Sequence, residues 1–309
     1  MVYDFAPMEG LTDSVYRRLH HKYYPGVDCY YMPFLSPTVH RALTPRERRE
    51  LPPAAGEGFR AVPQLLTRNP ADFLWAAAQC AEEGYDEVNL NLGCPSGTVM
   101  AKSKGAGMLR DLDSLAWFLD EIFRDCVLPI SVKTRLGLED PEEFPAILEV
   151  LNRYPAKLLI LHPRVRKAFY KGEIHWDMVD YCLANTRNPV CYNGDLRTKA
   201  DLTAFRHSYP QVQEIMIGRG LIANPGLLRP GEQDMAVLGR FTSELLETYR
   251  QIFGSERNAM FRMKENWQYL LTNIENSEKL GKRLRKTTDY QQFREITTEI
   301  VETLSFRRD

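Results

Sequence analysis

The chain has 309 residues, of which 44% are hydrophobic and 26% charged, and its net charge is -1. That length has room for one large α/β domain and a smaller second one, and the near-neutral balance neither implies nor excludes a nucleic-acid partner, since only a local basic stripe is required. No run approaches the ~18 uninterrupted apolar residues of a membrane span. The first residues lack the basic and apolar segments of a signal peptide, so none is expected. Cys29, Cys80, Cys94, Cys126, Cys182 and Cys191 show no CxxC spacing, which argues against a zinc site or a disulfide framework and fits a reducing cytoplasm.

In chain order, Val2 to Ala6 reads as a short apolar strand, followed by a helix capped by Thr12 or Asp13 and running to about Tyr23. Cys29 to Leu35 reads as a second strand. Ser36 to Gly58, rich in Pro, Arg and Glu, reads as a long, partly helical connection. Arg60 to Leu66 is a third strand, and Asn-Pro-Ala-Asp at 69–72 then opens a helix to about Glu83. Val88 to Leu92 alternates apolar and polar residues, the period of a strand, until Gly93, Pro95 and Gly97 break it. Cys94 therefore falls where this fourth strand opens into a Gly- and Lys-containing loop expected to be mobile. A small buried thiol is the usual fate of a lone Cys; the flanking asparagines, Gly93 and Pro95 favour a chemical role.

Asp111 starts the next helix, and Pro129 to Leu136 is the fifth strand. A helix over Pro141 to Arg153 leads to a sixth strand, Lys157 to His162. A helix over His175 to Asn185 precedes the seventh, Pro189 to Tyr192. Lys199 to His207 is helical, and Glu214 to Ile217 is the eighth strand. Eight apolar strands alternating with helices predict an α/β fold, a (β/α)₈ TIM barrel. A doubly wound sheet would show a Gly-rich loop after the first strand, where Ala-Pro-Met stands instead.

Beyond about Pro230 only helical periodicity is found: Met235 to Phe253, Asn258 to Thr272, Ser277 to Arg285 and Tyr290 to Leu304. The reading divides the chain into a barrel over 1–233 and a smaller all-α helical bundle over 234–309. The run Lys279 to Lys286 is dense in charge, although taken alone such a run is more often a solvated helix face.

Collected, the strand ends carry Pro7, Met8 and Glu9; Gln64; Asn91 and Cys94; Lys133 and Arg135; His162 and Arg164; Asn193, Gly194 and Asp195; Gly218 and Arg219. In a barrel these belong to the face where active sites sit. Glycines after the last two strands, with Arg219, suit a phosphate. Gln64 and Asn193 can offer amide donors and acceptors to a planar heterocycle. Lys133 can supply a cation to a reduced flavin anion or an enolate. Neither metal-spaced carboxylates nor a Gly-x-Ser-x-Gly elbow is present, so no metal is expected.

Taken in order, Ala6-Pro-Met-Glu-Gly10, Gln64, Asn89-Leu-Asn-Leu-Gly-Cys-Pro-Ser96, Lys133-Thr-Arg135, His162-Pro-Arg164, Asn193-Gly-Asp195 and Ile217-Gly-Arg-Gly220 resemble the bacterial branch of the tRNA-dihydrouridine synthase family. The resemblance spans most of the chain and includes that family's helical second domain. Its departures are Pro163, where the family usually has a small residue, and fewer glycines around Lys102-Ser-Lys104. It implies a cytoplasmic, FMN-dependent oxidoreductase that consumes NADPH to reduce the C5–C6 bond of particular tRNA uridines. It also implies that tRNA is bound by the 234–309 domain, with no membrane partner and the chain itself a monomer.

By the same resemblance, Pro7, Met8, Glu9, Gln64, Lys133, His162, Asn193, Gly194, Asp195, Gly218 and Arg219 would hold FMN, and Asn91, Arg135 and Arg164 would face the substrate. Hydride from flavin N5 would go to C6, and Cys94 would give a proton to C5, as a thiol with an ordinary pKa near ~8.5 can at neutral pH. The alternative is an FMN-dependent enzyme of the dihydroorotate or dihydropyrimidine dehydrogenase kind, acting on a free pyrimidine.

Overall fold

The structure, a computed structural model, describes residues 1–38, 40–231 and 233–307. Its parallel strands are β1 (Val2–Phe5), β2 (Cys29–Tyr31), β3 (Arg60–Val62), β4 (Gln64–Leu65), β5 (Val88–Leu92), β6 (Ile130–Arg135), β7 (Leu159–His162), β8 (Val190–Tyr192) and β9 (Glu214–Ile217). They are ordered β3-β2-β1-β9-β8-β7-β6-β5-β4. The two ends of this order are halves of one segment separated by Pro63. Proline has no N–H to give a ladder, and at this position the chain changes partners. Tyr31 pairs with Val62 on one side, and Gln64 pairs with Asn89 on the other. The sheet thus returns on itself, and the expected eight-stranded barrel is found with its third strand split by a proline.

The second strand is shorter than the sequence implies. Pro33 interrupts it, and Leu35 survives as an isolated bridge to Leu65. The 36–58 connection holds a short helix, Pro45–Glu50, closed by a capping box between Thr44 and Glu47.

Pleating fixes which side chains enter the barrel. Asn91 pairs with Lys133, Lys133 with Ile160, and Ile160 with Cys191, so these residues share the inner face. Ala6, Cys29, Tyr31, Val62, Leu158, Ile160, Cys191 and Met216 form a small apolar cluster of their own. A larger cluster joins alternate strand residues such as Leu90, Val132 and Leu161 to Phe73, Phe118, Leu119 and Ile147 on the helices Pro70–Glu82, Leu112–Asp125 and Phe144–Leu151. Near the strands' amino ends, buried Glu87 takes ion pairs from Arg60 (2.6 Å) and Lys157 (2.8 Å). Asp4, also buried, has its carboxyl pushed well up by burial and by Glu214. Glu87 is thus compensated, as a buried charge must be, whereas the raised Asp4 carboxyl favours its neutral form.

The chain falls into two compact units: residues 1–7, 28–194 and 210–216 in one, and 8–27, 195–209 and 217–309 in the other. The second unit gathers, besides the C-terminal helices, the helix Ser14–Tyr23, whose N-cap Asp13 accepts from Tyr16 N, and the short helix Arg219–Ala223. Its long helices are Met235–Phe253, Glu256–Leu270, Glu278–Lys286 and Tyr290–Thr303. Tyr16 meets Phe241 edge-on at 5.5 Å, Tyr249 donates to Asp13 at 2.8 Å, and Arg262 pairs with Asp13. In Glu278–Lys286, Leu280, Gly281 and Leu284 are buried while Lys279, Lys282, Arg283, Arg285 and Lys286 are not. No helix among the described residues is long and apolar enough to cross a membrane.

Candidate active site

The inner face of β5 begins the site. Asn89 and Asn91, two residues apart, point the same way and are buried, so their amides require partners. A chain of side chains supplies them. Asn89 Nδ2 donates to Ser131 Oγ (2.9 Å), Gln64 Nε2 donates to Asn89 Oδ1 (2.8 Å), and Asn91 Nδ2 donates to Gln64 Oε1 (2.7 Å). The far end of this relay is Asn91 Oδ1, which accepts from the backbone N–H groups of Gly93 (3.0 Å) and Cys94 (2.9 Å). An asparagine closing on the two following amides is a turn, and this one fixes the backbone of Cys94 to the barrel interior.

Cys94 is partly exposed and, like the other five cysteines, a thiol. The loop that follows is locally ordered: a helical turn over Gly97–Met100, then a 3-10 turn over Gly105–Arg110. Ala106 N donates to Cys94 O at 3.3 Å. Gly105 has φ +57°, and a Cβ there would lie 3.0 Å from Cys94 Cβ and 3.2 Å from Cys94 O. Only glycine adopts that conformation cheaply, so the loop closes tightly against the thiol's own residue.

Lys133 lies beside Asn91 in the register. Burial of its ammonium, reinforced by the Arg135 guanidinium, lowers its pKa from 10.5 to about 7, and Cys191 and Cys94 oppose that shift. Among the described residues no hydrogen-bond acceptor reaches its Nζ. A half-buried cation in that condition is poised for an anionic or acceptor group from outside the chain, and this donor chemistry fits an electron-rich flavin ring.

Ser131, Lys133 and Arg135 share one face of β6. Arg135 is buried, and its pKa falls to about 10 through burial and the nearby Arg164. Its guanidinium donates to Gly93 O (2.9 Å), Val165 O (3.2 Å) and Phe169 O (2.7 Å), with the Tyr170 ring 5.4 Å away. Arg164 donates to Gly172 O at 2.9 Å and approaches His162 Nε2 at 3.3 Å. His162 also stacks on Tyr170. Asn193 Nδ2 donates to Met216 O (2.8 Å), while a Cβ on Gly194 would overlap the Tyr192 ring. Pro7 closes the first segment of this unit.

In the second unit, Met8 N donates to Thr12 Oγ1 (2.9 Å), and Glu9 is exposed. Asp195 pairs with Arg219 and, at 3.7 Å, with Arg197. Gly218 O receives Leu221 N and Ile222 N as the helix Arg219–Ala223 starts.

The structure thus links Gln64, Asn91 and the Cys94 backbone in one relay, sets Lys133 beside Asn91 in register, and links Arg135, His162 and Arg164 through one loop. Four residues that strand ends alone did not single out also belong: Asn89, Ser131, Gly105 and Tyr170. Asn89 and Ser131 were within reach of a period-2 reading from Asn91 and Lys133. Gly105 and Tyr170 had no such signal. No group of three or more His, Cys, Asp or Glu suited to a metal occurs among the described residues.

The model of the family described as "Dihydrouridine synthase (Dus)" matches residues 4–306. The chain belongs to the dihydrouridine synthase family. Among its relatives, tRNA-dihydrouridine synthase B of Pasteurella multocida is 27% identical over 86% of this chain and 82% of that one. The tRNA-dihydrouridine(16) synthase of Pseudomonas putida is 30% identical over 72% and 70%. Solved structures with a similar fold include morphinone reductase, at a TM-score of 0.50 and 12% identity, covering 74% of this chain and 84% of that chain. Histamine dehydrogenase from a Rhizobium species follows, at a TM-score of 0.51 and 12% identity over 73% and 44%. Family membership agrees with the resemblance carried by the strand-end motifs, Asn89 to Ser96 foremost.

Proposed function

We propose that this dihydrouridine synthase reduces the C5–C6 bond of uridines in tRNA with FMN as cofactor and NADPH as reductant. The observation that carries the reading is the inner face of β5 and β6. There Asn91, which holds the backbone of Cys94, pairs in register with a lysine whose ammonium has no acceptor among the described residues. The substrate follows from the names of the relatives.

By the family resemblance Pro7, Met8, Glu9, Gln64, Lys133, His162, Asn193, Gly194, Asp195, Gly218 and Arg219 are assigned to the flavin, Arg219 suiting a phosphate. When bound, the flavin supplies hydride to the uracil ring.

The remaining work falls to the chain's own residues. Lys133 places positive charge against the electron-rich ring and, with a pKa near neutrality, gains its proton as an anion arrives. Cys94 delivers a proton to uracil C5, and the relay through Asn91 holds its backbone so that the thiol's position does not drift. Asn91, Arg135 and Arg164 are assigned to the substrate side, the two arginines through the loop they fasten. Residues 234–309, with the basic face of Glu278–Lys286, are assigned to tRNA, the chain acting as a cytoplasmic monomer.

The test is direct. The purified protein should be yellow, release FMN on acid precipitation, and convert uridine to dihydrouridine in unmodified tRNA when given NADPH, read by mass spectrometry. Turnover on free uracil with none on tRNA would contradict the assignment.

A further inference from the structure

The loop after β7, which Arg135 and Arg164 fasten, carries two aromatic rings to which the proposed reaction gives no task. Phe169 and Tyr170, adjacent in sequence, are each 43% exposed, unlike most aromatic side chains of this unit. Phe169 has φ +48° and ψ -105°, a positive-φ backbone that a bulky non-glycine residue rarely adopts and that costs on the order of 1–3 kcal/mol. Strain that leaves a ring in solvent is not spent on core packing.

The backbone beneath these rings is fastened from several directions. Arg135 donates to Val165 O and Phe169 O, and Arg164 to Gly172 O. Arg166 N donates to Gly137 O (2.9 Å), Lys167 N to Leu138 O (3.0 Å) and Lys171 N to Ala168 O (2.8 Å). The loop is therefore pre-organised, which lowers the entropy lost when a ligand settles on it.

Its charge identifies the ligand class. Arg166, Lys167 and Lys171 interleave with the aromatic pair; Arg166 lies 5.3 Å from the Phe169 ring centroid, and Lys167 meets Glu139 only at 3.7 Å. Glu173 is the one acidic residue in 165–173. Exposed rings among cations suit a base stacked on an aromatic face with its phosphates neutralised alongside. The loop also connects to the chemistry, because the guanidinium that grips Phe169 O grips Gly93 O, one residue before Cys94.

We propose that Phe169 and Tyr170 form a stacking platform for an unpaired nucleotide of the RNA strand next to the target uridine. Arg135 is the positioning residue that sets the platform relative to the Cys94 loop. The proposal rests on the RNA-reductase reading above.

Affinity of the flavin-loaded enzyme for unmodified tRNA is measured by fluorescence anisotropy at fixed salt. Phe169→Ala and Tyr170→Ala should each weaken binding about 5- to 150-fold, the worth of one base–aromatic stack. Phe169→Trp and Tyr170→Phe, which keep a ring, should restore it. The indole fluorescence that Phe169→Trp adds over the wild-type signal should be quenched as tRNA binds. If the alanine variants melt early, the ring-keeping variants and the quenching still decide. Alanine variants that bind like wild type, or an added indole that tRNA leaves unquenched, would overturn the platform. Wild type that makes no dihydrouridine, yet loses tRNA affinity with Phe169→Ala, would overturn the reductase reading and leave the platform standing.

Discussion

Lys133 offers a thermodynamic test that needs no substrate. Its ammonium is ordinary in the unfolded chain, at 10.5, and falls to about 7 in the fold because burial and Arg135 disfavour the charge. Below about pH 7 the lysine is protonated in both states, and folding bears the full cost of burying the cation. Between about 7 and 10.5 the unfolded chain holds the proton more often than the native one, so stability rises with pH at about 1.4 kcal/mol per pH unit. Above 10.5 the lysine is neutral in both states and contributes nothing.

The whole penalty is up to about 5 kcal/mol, and roughly 2 kcal/mol of it should be relieved between pH 7 and pH 9. Lys133→Met removes the titration while keeping the stem's volume. Urea unfolding of flavin-free protein should therefore find the Met variant more stable than wild type at pH 7 by several kcal/mol, with the gap narrowing by roughly 2 kcal/mol at pH 9. Other titrating groups are common to both proteins and cancel in the difference. Stability curves that run parallel from pH 7 to 9 would refute the argument and return Lys133 to an ordinary, solvated lysine.

Two further outcomes are expected. Gly105→Ala should cost about 1–2 kcal/mol, from the left-handed backbone and the close approach to Cys94; chemical denaturation measures the loss, and an unchanged midpoint would remove the tight loop closure from the account. Charge reversal at Lys282, Arg283 and Arg285 should weaken tRNA binding steeply at low salt and much less at high salt, read by filter binding; equal affinity at low salt would make the helix a solvated face.

What the sequence made legible was the period of the strands and the residue types at their ends, because both are local. Val88 to Leu92 and Glu214 to Ile217 are strands over the expected residues, and Asp13, Asn69 and Asp111 cap the helices they were expected to open. Pro63 hid the closure of the barrel, since a strand that serves two neighbours through a proline reads as one continuous run. Relay partners were hidden for another reason. That Gln64 bridges Asn89 and Asn91 depends on cross-strand register, which residue types alone do not specify.

The resemblance assigns Arg135 and Arg164 to the substrate. Their guanidiniums also hold backbone carbonyls of the loops at 93 and 165–172, a task set by tertiary structure that residue type at a strand end does not show. The grouping of residues 8–27 and 195–209 with the C-terminal helices likewise depends on contacts distant in sequence.

The central claim is that the thiol of Cys94 protonates the substrate, and one measurement addresses it most directly. Cys94→Ala enzyme, loaded with flavin and reduced by NADPH, is mixed with unmodified tRNA in a stopped-flow instrument while flavin absorbance is followed. The account predicts normal flavin content and reduction but re-oxidation by tRNA slower by roughly 10²–10⁴-fold, the worth of a positioned general acid. Re-oxidation at the wild-type rate would contradict it and place the proton donor elsewhere.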